Sequence, residues 1–183
     1  MRLLAPSMRF WLLRKEIFAL LLGILVAPSL HFAQEPSEYK APDGNRVALV
    51  VPVSKTRGTW RMESIVEIRM ANGALLCTRD FSSSDGQHGE AVAKAAWTAD
   101  SQFFVFSTSL TGGHQPWHFP TYFYSRRLNE IRSLDALVGP ILTPEFKLLS
   151  PDLIKTQTWQ KPGDLTPRPL AVRLNELQSI KSR

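Results

Sequence analysis

Three histidines and a carboxylate sit in two loop-like stretches of this chain, and these are residue types that can hold a zinc ion. His114 and His118 lie in Gly112-Gly113-His114-Gln115-Pro116-Trp117-His118-Phe119-Pro120, and His88 follows Asp85 in Ser82-Ser83-Ser84-Asp85-Gly86-Gln87-His88-Gly89. The spacing of His114 and His118 aligns two imidazoles only on a helix, and Pro116 with the glycines opposes a helix there. A metal site built on His88, His114 and His118 is therefore kept as an alternative, and no cofactor is expected. The functional reading preferred for this loop is a ligand or peptide surface. His114, Trp117, His118, Phe119 and Tyr122 supply flat, amphipathic contact area on a glycine-hinged loop. Against it stands the plainer possibility that Trp117 and Phe119 close the end of a sheet as local core.

Other chemistry is poorly supported by the residues present. The chain holds no Gly-x-Ser-x-Gly elbow, and Ser82-Ser83-Ser84-Asp85 near His88 has triad residue types in an ordinary loop composition. Glu63 and Glu67 are predicted to share one solvent face of a strand, which is not the facing pair that glycoside hydrolysis needs. No glycine loop leads into a helix to cradle a phosphate, so a nucleotide cofactor is not expected. Cys77 is the single cysteine. It lies in a β-type run, without a flanking histidine or basic helix start to activate it, and reads as an inert packed thiol. No catalytic residue is assigned.

The elements that must position these loops read as strands. Residues 34–45 are polar and proline-containing and read as a linker ending in a turn. Val47–Val53 is a near-continuous apolar run, predicted to be buried on both faces, with Pro52 marking a strand end or an edge. Glu63–Met70 alternates, with Val66, Ile68 and Met70 on one face and Glu67 and Arg69 on the other. Asn72-Gly73 is a hairpin signal, and Ala74–Phe81 returns. Ala91–Trp97 is ambiguous, since its alanines allow a helical turn while its position favours a strand. Phe103–Thr108 is a buried strand, Thr121–Arg126 an aromatic one, and Ile131–Leu134 returns after a turn at Asn129. Asp135–Pro144 has room for a turn of helix. Thr158–Pro169 reads as a connecting loop, and Leu170–Leu174 as a strand or the start of a helix.

One arrangement recurs after 57 residues. Pro42-Asp43-Gly44-Asn45 runs into Arg46–Val51, and Trp97-Thr98-Ala99-Asp100-Ser101-Gln102 runs into Phe103–Phe106. The overlay puts Asp43 on Asp100, Trp60 on Trp117, Arg69 on Arg126 and Asn72 on Asn129. Identity is low, so the order of parts carries the repeat: turn, strand, tryptophan-bearing loop, strand, turn, strand. The expected fold is mainly β, with antiparallel meanders in two blade-like repeats near residues 39–81 and 96–134. A degenerate third unit has room after a further Pro-Asp turn at Pro151-Asp152.

Trp97-Thr98-Ala99-Asp100-Ser101-Gln102 with its apolar run resembles the Trp-Ser-Pro-Asp-Gly blade segment of TolB-like and WD40-like β-propeller families. Ala41-Pro42-Asp43-Gly44 with Arg46–Leu49 resembles it as well. Ala99 and Ser101 stand where those families carry Pro and Gly, and the first copy has no preceding Trp. The resemblance covers residues 39–134. It implies an interaction platform rather than an enzyme, and it carries over no catalytic residue. A propeller closes with about 4–8 blades, more than this chain supplies, so the fold is expected to stay open or to be completed by self-association or a partner.

The 183 residues carry a net charge of +6, of which half lies in residues 1–33. The rest is only mildly basic and has no Lys/Arg block, so nucleic acid is not an expected partner. At the front, Arg14-Lys15 precede an apolar run from Ile17 to Ala27, which has the length of a signal-peptide core and is short for a membrane span. Cleavage is expected after Ser29 or Ala33, with Met8 as a second candidate start. The mature form would then carry residues 34–183 as a single β-rich domain, in the periplasm or outside the cell. An uncleaved, membrane-anchoring N-terminus is the alternative. The expected partner is a protein or an envelope component.

Overall fold

Alternating apolar residues in short runs, punctuated by Asp, Asn and Gly turns, build a stack of antiparallel meanders. In the computed structural model, residues 35–53, 62–112, 117–159 and 166–180 are described. Sheet A is β1 (Ser37–Lys40), β2 (Arg46–Val53), β3 (Glu63–Met70) and β4 (Leu75–Asp80), paired in that order. Sheet B is β5 (Glu90–Trp97), β6 (Phe103–Leu110), β7 (Thr121–Ser125) and β8 (Glu130–Ser133), again in sequence order. Sheet C has three strands, β9 (Lys147–Leu149), β10 (Leu153–Trp159) and β11 (Pro167–Arg173), with β10 in the middle. Among the described residues there are also two helical turns, α1 (Asp135–Val138) and α2 (Leu174–Leu177). No helix among the described residues is long and apolar enough to cross a membrane.

The recurrence extends to individual hydrogen bonds. β2 and β6 begin and end 57 residues apart. In the turn before β2, Ala41 N–H donates to Arg46 C=O, Gly44 N–H to Ala41 C=O, and Asn45 N–H to the Asp43 carboxylate, at 2.9, 2.9 and 3.0 Å. In the turn before β6, the same three bonds join Thr98 to Phe103, Ser101 to Thr98, and Gln102 to the Asp100 carboxylate, at the same three lengths. Gly44 and Ser101 occupy equivalent positions and both have positive φ, 71° and 59°. A side chain there is strained, which is the physical reason a glycine suits this position. The third unit departs from the pattern: its turn contains a cis Ser150–Pro151 bond, and Asp152 reaches forward to Arg173 and to the Asn175 N–H instead.

The core lies between the sheets. Side chains alternate along β6 and β7, so both faces of sheet B are buried. Phe104, Phe106, Tyr122 and Tyr124 meet Ala48, Val50, Val66 and Ile68 of sheet A, with Phe81 and Ile131 in the same cluster. Phe103, Val105 and Phe123 face the other way onto Ile154, Leu134, Ile141 and Phe146, with Leu174 and Leu177 of α2. Sheet B is thus the central layer, and successive sheets stack head to tail: the face of sheet A that meets sheet B corresponds, 57 residues on, to the face of sheet B that meets sheet C.

Several sequence expectations need correction. β2 is buried on one face only, through Ala48 and Val50, because sheet A is an outer layer of the stack. The stretch taken as a linker contains β1, which pairs with β2 from Ser37 to Lys40. Ala91–Trp97 is strand along its whole length, since pairing with β6 outweighs the alanines, with a register shift near Ala93. The supposed loop 158–169 has strand at both ends. Pro167 and Pro169 are accommodated there because β11 is an edge strand that need not donate from its outer side.

An ion pair fastens the turn of sheet A to sheet B. Arg126 donates to the Asp43 carboxylate, and Asp43 N–H donates to Ser101 Oγ at 3.0 Å. The Arg126 hydrogen bond, followed by those from Asn45, holds the Asp43 carboxyl at about 2, below its ordinary 3.8. A depressed carboxylate stabilises the fold above its unfolded pKa and loses that contribution as pH falls through the folded value. The wild type is therefore expected to lose more stability than Asp43→Asn between about pH 4 and pH 2, by under about 1 kcal/mol because the pair is solvent-exposed. Urea midpoints across that range check this, and parallel curves for the two proteins would refute it.

Candidate functional site

Antiparallel pairing sorts the connections into two groups. The turns at 41–45, 71–74, 98–102, 126–129 and 150–152 are tight and lie at one end of the stack. At the other end, Val53, Asp80, Leu110, Ser133 and Trp159 open into the longer connections. An Ile141–Thr158 bridge and a 2.7 Å bond from Phe119 N–H to Ile141 C=O tie sheets B and C together at that end. Candidate binding chemistry gathers where the chain is long enough to vary.

The His-bearing loop divides there. His114 lies outside the described residues. Trp117 is 64% exposed, and its ring stands 4.2 Å from that of His118, tilted by 49°. His118 Nδ1 is buried and has no hydrogen-bond partner among the described residues. The imidazole lies near Asp135, whose carboxylate accepts from Thr121 N–H at 2.7 Å and Ile141 N–H at 3.0 Å. Burial pushes the Asp135 carboxyl up, opposed by those two N–H groups and by His118. Thr121 Oγ1 also donates to Phe119 C=O at 3.0 Å, and Thr108 N–H to Pro120 C=O at 2.8 Å. The base beneath Trp117 is therefore pinned to α1, β6 and β7.

Tyr122 is not beside Trp117 in the contact surface. Its ring stacks on Phe106 at 5.4 Å and meets Phe81 at 5.0 Å inside the core between sheets A and B, with the Arg79 guanidinium 4.4 Å from its centroid. Strand β7 begins at Thr121, so Tyr122 takes the inward position. Phe119 is half-buried.

His88 belongs to a separate arch. Its Nδ1 lies 2.5 Å from Asp85 Oδ2, and both side chains are exposed. The Asp85 carboxyl is held below the usual carboxylate range, first by Gln87 N–H, then by the Ser83 hydroxyl and His88. Ser83 Oγ lies 2.5 Å from Glu63 Oε1 and 2.7 Å from Asp85 Oδ1. The carboxylate stands between the serine and the imidazole, an order in which the histidine does not take the serine proton, unlike a hydrolase triad. Among the described residues, no three His, Cys, Asp or Glu side chains are grouped to hold a metal ion.

Glu63 is the residue the sequence placed wrongly. Strand alternation predicts a solvent face for it, yet it is 1% exposed. Its carboxylate accepts from Gly89 N–H at 2.7 Å, Ser83 N–H at 2.8 Å and the Ser83 hydroxyl. The Ser82–Gly89 arch folds over the end of β3 and buries it. Asp135, the anchor beneath His118, was likewise read only as part of a helical turn. Comparison of the chain with protein-family models, with curated proteins and with solved structures finds no match. What the site can do is therefore argued from its geometry: one imidazole beside a part-buried carboxylate, capped by an exposed indole, offers stacking and hydrogen bonding.

Proposed function

We propose that this protein is an exported, non-catalytic β-repeat module that binds a protein or envelope component through its long-connection end, with Trp117 as the anchor. The observation that carries this reading is the exposure of Trp117 on a base fixed by Asp135, Thr121 and Ile141. A large rigid aromatic held outside the core loses little conformational freedom on binding, and such residues dominate interface energetics. The basic-then-apolar N-terminal segment supports export. The turn recurrence between sheets A and B and the head-to-tail stacking of all three support treating the sheets as consecutive blade-like units of an interaction scaffold.

Trp117→Ala is expected to leave thermal stability nearly unchanged while weakening partner retention by at least about tenfold, the order of one hot-spot contact. The check is capture from a cell-envelope extract on immobilised wild type and variant, with bound species quantified side by side. Equal retention by the two proteins, or no retained species with either, would overturn the assignment.

A further inference from the structure

A second candidate binding surface lies on sheet C. Lys155 of β10 stands directly opposite Lys147 of β9 in the antiparallel register. Opposed residues in such a pair have Cβ atoms about 4.5–5.5 Å apart, and like charges placed there repel. Both lysines are exposed, and no acidic side chain among the described residues pairs with either. The nearby carboxylate, Glu145, is engaged by Lys94 at 2.5 Å, and the Lys94 ammonium also lies 5.3 Å from the centre of the Phe146 ring. These residues line an open groove of about 350 Å³ together with Gln157 and Thr143. That volume is at the small end of ligand sites.

Three ammonium groups against one carboxylate leave the groove with a surplus of two positive charges. The two unpaired ammoniums are neighbours, so a single dianionic group between them would neutralise both and remove their repulsion. A phosphomonoester matches this. It carries about −1.5 to −2 charge near neutral pH and has several acceptor oxygens, whereas a carboxylate or a phosphodiester brings one charge. Lysine binds phosphate as a point charge without demanding a fixed fork geometry, and the Gln157 amide and Thr143 hydroxyl add neutral donor types along the wall.

We infer that the groove between Lys147 and Lys155 binds a phosphate-bearing ligand. The test uses the full chain with two probes: inorganic pyrophosphate for a soluble source, and vesicles containing phosphatidic acid, whose headgroup is a phosphomonoester, for a lipid source. Saturable binding of one probe is expected, weakened at least about tenfold in Lys147→Gln and in Lys155→Gln, since each removes one of the two charges. Lys40→Gln, which alters a lysine already paired with Glu38 on sheet A, is expected to bind as the wild type does. In the absence of ligand, Lys155→Gln is expected to unfold no earlier than the wild type, because the substitution removes repulsion. Which probe binds identifies the source. No saturable binding of either probe, or equal weakening by Lys40→Gln, would overturn the inference.

Discussion

Replacing Phe104 with alanine will destabilise the protein by about 3–5 kcal/mol, the range for deleting a fully buried aromatic ring. Phe104 has no exposed surface and touches rings contributed by three strands: Tyr39 of β1 at 5.6 Å, Trp97 of β5 at 5.3 Å and Phe106 of β6 at 5.8 Å. Trp97 is fixed in turn by its indole N–H, which donates to Tyr39 C=O at 2.8 Å. Tyr39 is held by the β1–β2 ladder, Trp97 by the β5–β6 ladder and Phe106 by β6 itself, so the neighbours cannot collapse far into the space left behind. For a unit of about 150 residues, each kcal/mol shifts Tm by about 2–4 °C, so a fall of about 10 °C is expected. Calorimetry and chemical unfolding measure it. Phe103→Ala, on the opposite face of β6, should cost a similar amount because that face is also core. A loss below about 1 kcal/mol for either variant would mean that sheet B is not packed on both sides.

The same alternation explains what was legible in the sequence. Val66 and Ile68 against Glu67 and Arg69 announced β3, and the two charged residues pair across the outer face at 2.8 Å. Asn72-Gly73 announced its hairpin: Gly73 takes φ 90°, and the Asn72 side chain accepts from Ala74 N–H. Phe103–Thr108 was readable as a buried strand because every residue in it is apolar or a small hydroxyl. Val47–Val53 looks much the same in composition, yet only one of its faces is covered. Composition records that a strand is compatible with burial. It does not record how many layers lie on either side, which depends on where the sheet falls in the stack.

The site was less legible for a related reason. Trp117, His118, Phe119 and Tyr122 are adjacent in sequence and look like one aromatic patch. Their fates separate at Thr121, where the chain enters β7 and Tyr122 turns inward. That boundary is set by pairing with β6, from Ser107↔Thr121 onward, which is a long-range fact. Asp135 could not have been paired with His118 from spacing alone, since β7 and β8 intervene before the chain returns to the same end. Glu63 obeyed the parity rule and still became buried. What covers it is an arch made of Ser, Asp, Gly and His, a composition that normally signals exposure.

That arch supplies the second large effect. Gly89→Ala is expected to destabilise the protein by roughly 3 kcal/mol, combining overpacking of about 1–3 kcal/mol with loss of a charge-assisted hydrogen bond of about 1.5–3 kcal/mol. A Cβ at Gly89 would lie 2.5 Å from both Glu63 Cδ and the Phe81 carbonyl oxygen. Neither side can withdraw freely. Phe81 C=O accepts from Glu90 N–H at 3.0 Å, and Gly89 C=O accepts from Thr111 N–H at 3.0 Å, which holds the backbone in place from both directions. Glu63 swinging away relieves its own side of the clash, breaking its bond to Gly89 N–H and releasing Ser83 from the carboxylate, while the clash with Phe81 C=O requires the backbone to shift. Glu63→Gln separates the two contributions. It keeps the side-chain shape while removing the charge, so it should cost less than Gly89→Ala, and adding it to Gly89→Ala should cost less than the sum because both act on one network. Urea unfolding of the two single variants and the double variant measures this coupling. Strict additivity, or a Gly89→Ala loss under about 1 kcal/mol, would show that the arch relaxes independently of Glu63. The buried carboxylate would then not be what fastens it to sheet A.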